Sequence, residues 1–143
     1  MFAKRVAKCL PVKRTVRLDT ARFSSNVSDS LKVKFNANGV VVISFSTPHN
    51  LNALTVDVGG EFARIVNDLC TLDSTKLRCI VLTGEGKAFS AGGDLQFLLD
   101  RTKDEPLRNS SIMRDFYRRF LSIRSLPVPV IAAVNGAAIG AGR

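Results

Sequence analysis

The sequence predicts an α/β fold in which short buried strands alternate with amphipathic helices, in the order β-β-α-β-α-β. Three runs rich in β-branched residues, VVVISFS (40–46), RCIVLTG (78–84) and VPVIAAV (128–134), have the composition of buried strands. Two longer stretches carry apolar residues at helical spacing. A chain of 143 residues suits one small domain or part of a larger one.

The first two strands are predicted to form a hairpin. LKVKF (31–35) alternates apolar and basic residues, as a half-buried strand does. NANG (36–39) follows, and its Asn38-Gly39 pair is typical of a two-residue hairpin turn. The partner strand is β-branched, so we expect it to be more deeply buried.

Each of the two predicted long helices presents one apolar stripe. Thr55 is the expected N-cap of the first helix, with Asp57 in its first turn, where a negative charge suits the helix dipole. The stripes of the two helices comprise, in chain order, Val58, Phe62, Ile65 and Leu69, then Ile112, Phe116, Phe120 and Ile123. Gly59 and Gly60 weaken the first helix, and the sequence offers no reason for them. Four arginines off the second stripe are expected at a solvated surface: Arg114, Arg118, Arg119 and Arg124.

A short helix and an edge strand complete the predicted elements. LQFLLD (95–100) predicts one or two helical turns, and the polar segment 101–110 after it is expected to be exposed. Pro127 and Pro129 cannot donate ladder hydrogen bonds. We therefore expect them at a sheet edge or at the first position of the last strand.

The formal net charge of +9 comes mostly from the amino-terminal tail. Residues 1–22 hold seven of the 21 lysines and arginines and one of the 12 acids, which leaves an excess of three positive charges elsewhere. The tail has one short amphipathic face and is followed by several serines. This composition predicts a mitochondrial transit peptide over residues 1–30 and a mature protein in the mitochondrial matrix. A disordered basic arm that contacts nucleic acid or lipid is the alternative.

The rest of the composition predicts no nucleic-acid partner, no metal site and no membrane span. The charge outside the tail is too small for a nucleic-acid footprint. Cys9, Cys70 and Cys79 lack the CxxC spacing of a zinc site, so we expect free thiols and no metal. The uncharged stretch 126–142 has 17 residues and two prolines, which is too short and too broken for a spanning helix.

Two glycine-rich loops each follow a buried strand directly. The first is TGEGKAFSAGGDL (83–95) and the second is VNGAAIGAGR (134–143). Glycine permits a close approach to the backbone, so such loops can present their amides to a ligand. We refer to them below as the first and second glycine loops.

Two nucleotide-binding motifs also contain glycine-rich loops of this kind. A phosphate-binding G-x-x-x-x-G-K-[ST] motif ending at GK (86–87) would need glycine in place of Val81 and serine or threonine in place of Ala88, so it is excluded. A dinucleotide G-x-G-x-x-G fingerprint beginning at Gly140 and Gly142 stays open. It would make the protein a nicotinamide-dependent oxidoreductase.

Three motifs between residue 31 and residue 143 resemble those of the crotonase superfamily, which comprises enoyl-CoA hydratases, isomerases and their relatives. STPHNLNAL (46–54) resembles the R-P-x-x-x-N-A-L segment, with Ser46-Thr47 in place of the usual arginine region. GKAFSAGGDL (86–95) resembles F-x-A-G-x-D-[LI], and LPVPVIAAVNGAAIGAG (126–142) resembles K-P-V-I-A-A-[VI]-N-G-x-A-x-G-[GA]-G. The resemblance implies an α/β crotonase-like ββα spiral that is incomplete, with residues 31–143 as its N-terminal part.

The resemblance also implies a backbone oxyanion hole for an acyl-CoA thioester. By motif position, the amides of Gly93 and Ala141 would donate to the thioester oxygen as an enolate forms. Further residues would line the substrate: Asn50, Leu51 and Ala53 beside coenzyme A, and Ala91, Gly92, Asp94, Leu95 and Gln96 along the acyl path. For Asp94, a helix cap is expected rather than a catalytic role. No cofactor is implied, because coenzyme A is part of the substrate.

Family hydratases carry acid–base glutamates beyond the second glycine loop. At or just before the first of these positions, this chain has Arg143, its last residue. We therefore expect residues 1–143 alone to fold poorly and to lack hydratase activity, and a homotrimer or hexamer to form only from a full-length protein. An enzyme of acyl-CoA metabolism is predicted. A non-catalytic relative that binds acyl-CoA or a protein partner is the alternative.

Overall fold

A computed structural model describes residues 29–72 and 76–143. The strands are Leu31–Phe35 (β1), Val40–Phe45 (β2), Cys79–Gly84 (β3), Ala88–Ser90 (β4), Val130–Ala133 (β5) and Ala137–Ala138 (β6). The α-helices are Val56–Cys70 (α1), Leu95–Arg101 (α2) and Pro106–Leu121 (α3), and short 3-10 turns occupy Pro48–Asn50, Ser122–Ser125 and Gly140–Gly142. The predicted transit peptide lies outside the described residues, apart from positions 29 and 30.

Four of the strands form one mixed sheet in the order β1-β2-β3-β5, and β4 pairs with β6 in a second, two-stranded sheet. β1 runs antiparallel to β2, whereas β3 is parallel to both of its neighbours. The crossovers that parallel strands require are supplied by α1 and by the α2–α3 segment. The predicted α/β class is confirmed, and the structure adds the two short strands β4 and β6.

The predicted hairpin forms, but its turn differs from the two-residue type. Gly39 N donates to the Asn36 carbonyl at 3.1 Å, and Asn36 N donates to the Val40 carbonyl at 2.9 Å. Gly39 has φ +83°. The loop therefore has three residues and ends in a left-handed glycine, a common alternative to the two-residue turn. Asn38-Gly39 signalled the hairpin correctly but not its geometry.

The hydrophobic core lies between the four-stranded sheet and α1, and α3 packs against α1. Thr55 caps α1 as predicted, since its Oγ1 accepts a hydrogen bond from Val58 N at 3.2 Å. All four predicted stripe residues of α1 are buried. In α3, Phe116 is buried, and Phe120 lies against Phe62 of α1 with ring centroids 5.8 Å apart.

One expectation about α3 was wrong. Arg119 was predicted at a solvated face, yet its Nη1 donates to the Val56 carbonyl at 2.7 Å and connects α3 to the start of α1. The polar segment 101–110 is largely exposed, as expected, and α3 begins within it at Pro106, a residue well suited to the first helical turn. Ile123 lies just beyond α3, in the 3-10 turn that follows.

The two consecutive glycines of α1 have different surroundings. A Cβ added at Gly59 would lie 3.1 Å from the Phe120 ring, whereas one added at Gly60 would meet nothing within 4 Å. We expect Gly60→Ala to stabilise the protein by about 0.5–1 kcal/mol through helix propensity. Gly59→Ala should lose that gain, because Phe120 has to move. Thermal unfolding of the two variants checks this expectation, and equal increases in Tm would contradict it.

β5 is the edge strand that its prolines predict. Pro129 directly precedes it, and the Pro129 carbonyl accepts a hydrogen bond from Ile80 N at 3.0 Å. β5 is the last strand in the order of the four-stranded sheet, and all four of its residues are exposed. Because Pro129 precedes the first residue of β5, its missing amide hydrogen leaves the pairing of residues 130–133 with β3 intact.

Neither a membrane-spanning helix nor a metal-binding cluster is present in the described part of the chain. In residues 29–72 and 76–143, no helix is long and apolar enough to cross a membrane. The same residues contain no group of three or more His, Cys, Asp or Glu side chains placed to hold a metal ion. Cys70 and Cys79 are free thiols, and Cys9 lies outside the described part of the chain.

Candidate functional site

The two glycine loops meet through the β4–β6 pair. β4 belongs to the first loop and β6 to the second, and they pair in parallel, with Ala88 opposite Ala137 and Ser90 opposite Ala138. Beyond this pair, Ile139 N donates to the Ser90 carbonyl at 3.0 Å. The fold thus joins two segments that lie far apart in the sequence.

Glycine is required where the backbones of the two loops touch. Gly92 has φ +86°, and a Cβ on it would lie 2.5 Å from the Ile139 carbonyl oxygen and 3.3 Å from Ala141 N. A Cβ on Gly136 would overlap the Lys87 carbonyl. The Ala141 amide therefore lies within van der Waals reach of the residue that precedes Gly93.

The Gly93 amide points away from the strand-like segment that supports it. Leu54 N donates to the Gly92 carbonyl at 2.7 Å, and Asp94 N donates to the Leu54 carbonyl at 3.0 Å, which makes Leu54 and Gly93 a parallel bridge pair. In such a pair, the hydrogen-bonding groups of the bridged residue face the opposite side. Within the described part of the chain, the Gly93 N–H has no protein acceptor.

The Ala141 amide in the second loop has the same status. Its neighbours are engaged, since Gly142 N donates to the Ile139 carbonyl at 2.8 Å and Arg143 N donates to the Gly140 carbonyl at 3.2 Å. Ala141 N has no acceptor among the described residues. Two unused, partly exposed amides therefore lie on touching loops, and their role as donors to a ligand stays a prediction.

The residues predicted beside coenzyme A form a supported turn next to the first loop. Asn50 Oδ1 accepts a hydrogen bond from Ala53 N at 3.3 Å. The Leu51 carbonyl accepts one from Ala91 N at 2.9 Å, while half of the Leu51 residue surface (50%) is exposed. Ala53 is buried. The structure thus joins the NLNAL segment directly to the first glycine loop.

The residues predicted along the acyl path continue from Gly92 and Gly93 into α2. Asp94 caps that helix as expected, because its Oδ1 accepts a hydrogen bond from Phe97 N at 2.9 Å. Leu95 is 70% exposed. Gln96 is also exposed, and its Nε2 donates to Asp100 Oδ1 at 3.1 Å. An open, partly apolar helix face thus begins immediately after Gly93.

A cavity of about 230 Å³ lies beside the second loop, whose Ala141, Gly142 and Arg143 form part of its wall. Its lining is almost wholly apolar and includes Phe45, Phe62, Phe89 and Phe120. Ala141 also contributes to its wall, but none of the other predicted site residues does. The cavity is therefore distinct from the open helix face next to Gly93.

Sequence reasoning missed two buried polar residues, Asn52 and Ser90. Their exposed fractions are 1% and 0%, and they are the buried polar side chains of the described residues. Asn52 has φ +56°, a left-handed conformation that asparagine adopts more readily than most residues. A polar residue between the apolar residues Leu51 and Ala53 was the available signal.

Glu85 in the first loop forms a cluster with strand residues. Its carboxylate accepts hydrogen bonds from Lys32 Nζ at 2.8 Å and from Ser46 Oγ at 2.8 Å. These bonds, chiefly the one from Lys32, hold the pKa of Glu85 below its usual value. The cluster links the start of the first loop to β1 and to the end of β2.

The lowered pKa of Glu85 predicts a small pH dependence of stability. The pKa of Glu85 is lower in the folded state than in the unfolded state. Its contribution to the free energy of unfolding is therefore fully present above the unfolded-state pKa and is lost as pH falls through the folded-state pKa. The Lys32 side chain is 62% exposed and the Glu85 side chain 36% exposed, so we expect solvent to limit the contribution to about 0.2–1 kcal/mol. Glu85→Gln should flatten the stability profile below about pH 4.5, relative to wild type in urea unfolding. An unchanged profile would contradict the assignment.

Comparisons with known proteins point to one family. Residues 36–143 match the family model described as enoyl-CoA hydratase/isomerase. A 1,2-epoxyphenylacetyl-CoA isomerase of Escherichia coli (strain K12) is 34% identical over 105 residues, which cover 73% of this chain and 39% of that protein. The chain spans about two-fifths of the length of the relatives it matches.

Solved structures support the same fold. The crystal structure of an enoyl-CoA hydratase from Bacillus anthracis matches with a TM-score of 0.67 at 30% identity, over 79% of this chain and 42% of that one. An enoyl-CoA hydratase from Shewanella pealeana matches with a TM-score of 0.74, over 88% of this chain and 46% of that one. Its identity of 22% makes it evidence for the fold alone.

Proposed function

This chain belongs to the enoyl-CoA hydratase/isomerase family, and from that membership we propose that it serves an acyl-CoA-processing enzyme of this type. In the proposal, the Gly93 and Ala141 amides together stabilise the negative charge of a thioester enolate. The whole protein would be a hydratase or isomerase that acts on fatty or branched-chain acyl-CoA.

One observation carries the proposal: two amides without protein acceptors lie on loops whose backbones touch. A Cβ at Gly92 would lie 3.3 Å from Ala141 N, and the next amide along the chain is that of Gly93. Both residues are partly exposed, so their N–H groups are open to a ligand. Two unused donors on touching loops are suited to bind one ligand oxygen.

The chemistry of a thioester suits such a pair of donors. When a proton leaves the α-carbon, negative charge develops on the carbonyl oxygen, and fixed N–H groups stabilise it without reorganisation of water. Removing one donor of this kind typically lowers kcat by about 10²–10³-fold. Backbone donors leave side-chain identity free, which fits Ala141 at a position where the resemblance also allows glycine.

The surface around Gly93 suits an apolar acyl group. Leu95 is 70% exposed and Leu51 is 50% exposed, on opposite sides of the first loop in the sequence. The methyl groups of Leu98 lie 3.4–3.5 Å from the Cβ position of Gly93. An acyl chain bound at the Gly93 amide would therefore contact leucine side chains.

The carboxylates next to the first loop are committed to structure. Asp94 Oδ1 caps α2, and the Glu85 carboxylate is engaged by Lys32 and Ser46. We therefore assign charge stabilisation to the two loops and assign no proton-transfer step to these acids.

We also propose that residues 1–30 direct the protein to the mitochondrial matrix. The tail composition supports this, and imaging of residues 1–30 fused to a fluorescent protein tests it.

A ligand titration tests the proposed function. Thermal unfolding of the full chain would be followed with butyryl-CoA, with free coenzyme A and with NAD at matched concentrations. We expect butyryl-CoA to raise Tm more than coenzyme A does, and NAD to leave Tm unchanged. Stabilisation by NAD without stabilisation by butyryl-CoA would favour the oxidoreductase hypothesis and overturn the proposal.

A further inference from the structure

Asn52 and Ser90 form a buried, hydrogen-bonded polar pair. Burying a polar group is costly unless it is hydrogen-bonded, so a fully buried polar pair marks a place where its hydrogen bonds matter. Both residues lie at the junction of the NLNAL segment with the first glycine loop.

The Asn52 side chain forms hydrogen bonds with three backbone groups. Its Oδ1 accepts a hydrogen bond from Thr47 N at 3.0 Å. Its Nδ2 donates to the Glu85 carbonyl at 2.9 Å and to the Ala88 carbonyl at 2.8 Å. Both amide hydrogens of the side chain are therefore used, and Asn52 is fixed relative to both ends of the turn between β3 and β4.

Ser90 connects Asn52 to Gly92 within the first glycine loop. Its Oγ donates to the Asn52 carbonyl at 2.8 Å, which leaves a lone pair of the same oxygen to accept from Gly92 N at 3.1 Å. The donor direction of the hydroxyl is thus set by Asn52. Its acceptor side holds Gly92 in the left-handed conformation, with φ +86°.

These contacts determine the direction of the Gly93 N–H. The Gly92 carbonyl and the Gly93 amide belong to one trans peptide group, so their C=O and N–H bonds point in opposite directions. The carbonyl is held by Leu54 N at 2.7 Å, and the preceding amide is held by the Ser90 hydroxyl. With both ends of Gly92 anchored, the Gly93 N–H has one direction available.

Ser90 also contacts the second glycine loop. Its carbonyl accepts a hydrogen bond from Ile139 N at 3.0 Å, and its Oγ lies 3.0 Å from the Cβ position of Gly142. The residues on both sides of the Ala141 turn are therefore packed against Ser90. Ser90 thus holds Gly92 in the first loop through its side chain and Ile139 in the second loop through its carbonyl.

We infer that Ser90, oriented by Asn52, is a positioning residue that aims the Gly93 amide at the ligand oxygen. This inference rests on the proposed function, because it gives a role to an amide that would otherwise be an unused donor. Ser90 does not itself touch the substrate in this account. It acts through Gly92.

The test measures the amides of the full chain by NMR, with no ligand present. In Ser90→Ala, we expect hydrogen exchange of the Gly92 amide to be at least about tenfold faster, because its acceptor is gone. We expect the Gly93 signal to shift and broaden. The matched control is Ser122→Ala, which removes a serine hydroxyl that donates to the Arg119 carbonyl at 2.6 Å. This control should leave both glycine signals as in wild type.

Addition of [1-13C]butyryl-CoA then separates the two proposals. The inference is supported if wild type polarises the thioester carbonyl and Ser90→Ala polarises it less. The affinity for butyryl-CoA should change less between the two proteins than the polarisation of the carbonyl does. Glycine signals in Ser90→Ala that coincide with those of wild type would overturn it. If wild type binds no butyryl-CoA, the proposed function fails, while the amide signals still decide the positioning role. If Ser90→Ala does not fold, hydrogen exchange in wild type tests the positioning role. The inference then requires that the Gly92 amide be protected from exchange and that the Gly93 amide exchange rapidly.

Discussion

Gly92→Ala is expected to destabilise the protein by about 2–5 kcal/mol. Two costs combine at this position. An L-residue at φ +86° is strained by about 1–2 kcal/mol. The new Cβ would also lie 2.5 Å from the Ile139 carbonyl, so the two glycine loops would have to separate.

Gly60→Ala is the matched control for this prediction, since it adds the same methyl group where nothing lies within 4 Å. Urea unfolding of wild type and both variants measures the free energies of unfolding. We expect the control to unfold at higher urea concentration than wild type, and Gly92→Ala at much lower concentration. If the free energy of unfolding of Gly92→Ala lies within about 0.5 kcal/mol of the wild-type value, the loops do not touch as described.

Asn52→Asp is expected to destabilise the protein by about 2–4 kcal/mol at neutral pH. A carboxylate can accept from Thr47 N as the amide does, but its second oxygen would face the carbonyls of Glu85 and Ala88 without a hydrogen to donate. The introduced carboxyl is buried, which raises its pKa in the folded state. The loss should therefore be largest at neutral pH and shrink as pH falls and the carboxyl gains a proton.

Asn38→Asp is the control for this prediction. Asn38 lies in the hairpin turn, is exposed, and uses only its Oδ1, which accepts from Val40 N at 3.4 Å. A carboxylate can make the same contact, so we expect a change of less than about 0.5 kcal/mol. Unfolding measured at neutral and acidic pH compares the two variants. Equal losses at neutral pH would mean that the donors of Asn52 are not needed.

Features with a local cause could be predicted from the sequence. Thr55 and the apolar spacing of α1 predicted that helix, its cap and its buried face, because capping and amphipathicity act within a few residues. Asp94 was likewise predicted as a cap and is one. The three motifs predicted the family and the α/β fold, and both are confirmed.

Features with a distant cause could not be predicted. Gly59 is explained only by Phe120, which lies in another helix. β4 and β6 have three and two residues, too few to show a strand pattern, and they pair across a long crossover. Arg119 looked solvated because no periodic pattern shows that its guanidinium reaches the Val56 carbonyl.

The candidate site likewise combines features that the sequence predicted with features that depend on tertiary contacts. Sequence motifs nominated Gly93 and Ala141, and the structure shows that both amides lack a protein acceptor among the described residues. The hydrogen bonds of Asn52 and Ser90 that hold the first loop were not foreseen. They depend on the meeting of the NLNAL segment with the loop after β3, a tertiary contact that neither segment encodes alone.

The most direct test of the central claim is the infrared carbonyl band of [1-13C]butyryl-CoA bound to wild type, Gly93→Ala and Gly93→Pro. Proline deletes the Gly93 N–H, which has no protein acceptor in the described chain, while alanine keeps it and places its Cβ in ordinary contact with Leu98. We predict a thioester band lowered in frequency, relative to water, by wild type and Gly93→Ala, and a clearly smaller shift with Gly93→Pro. An unshifted band with wild type, or the same shift with Gly93→Pro, would contradict a role for this amide in an oxyanion hole.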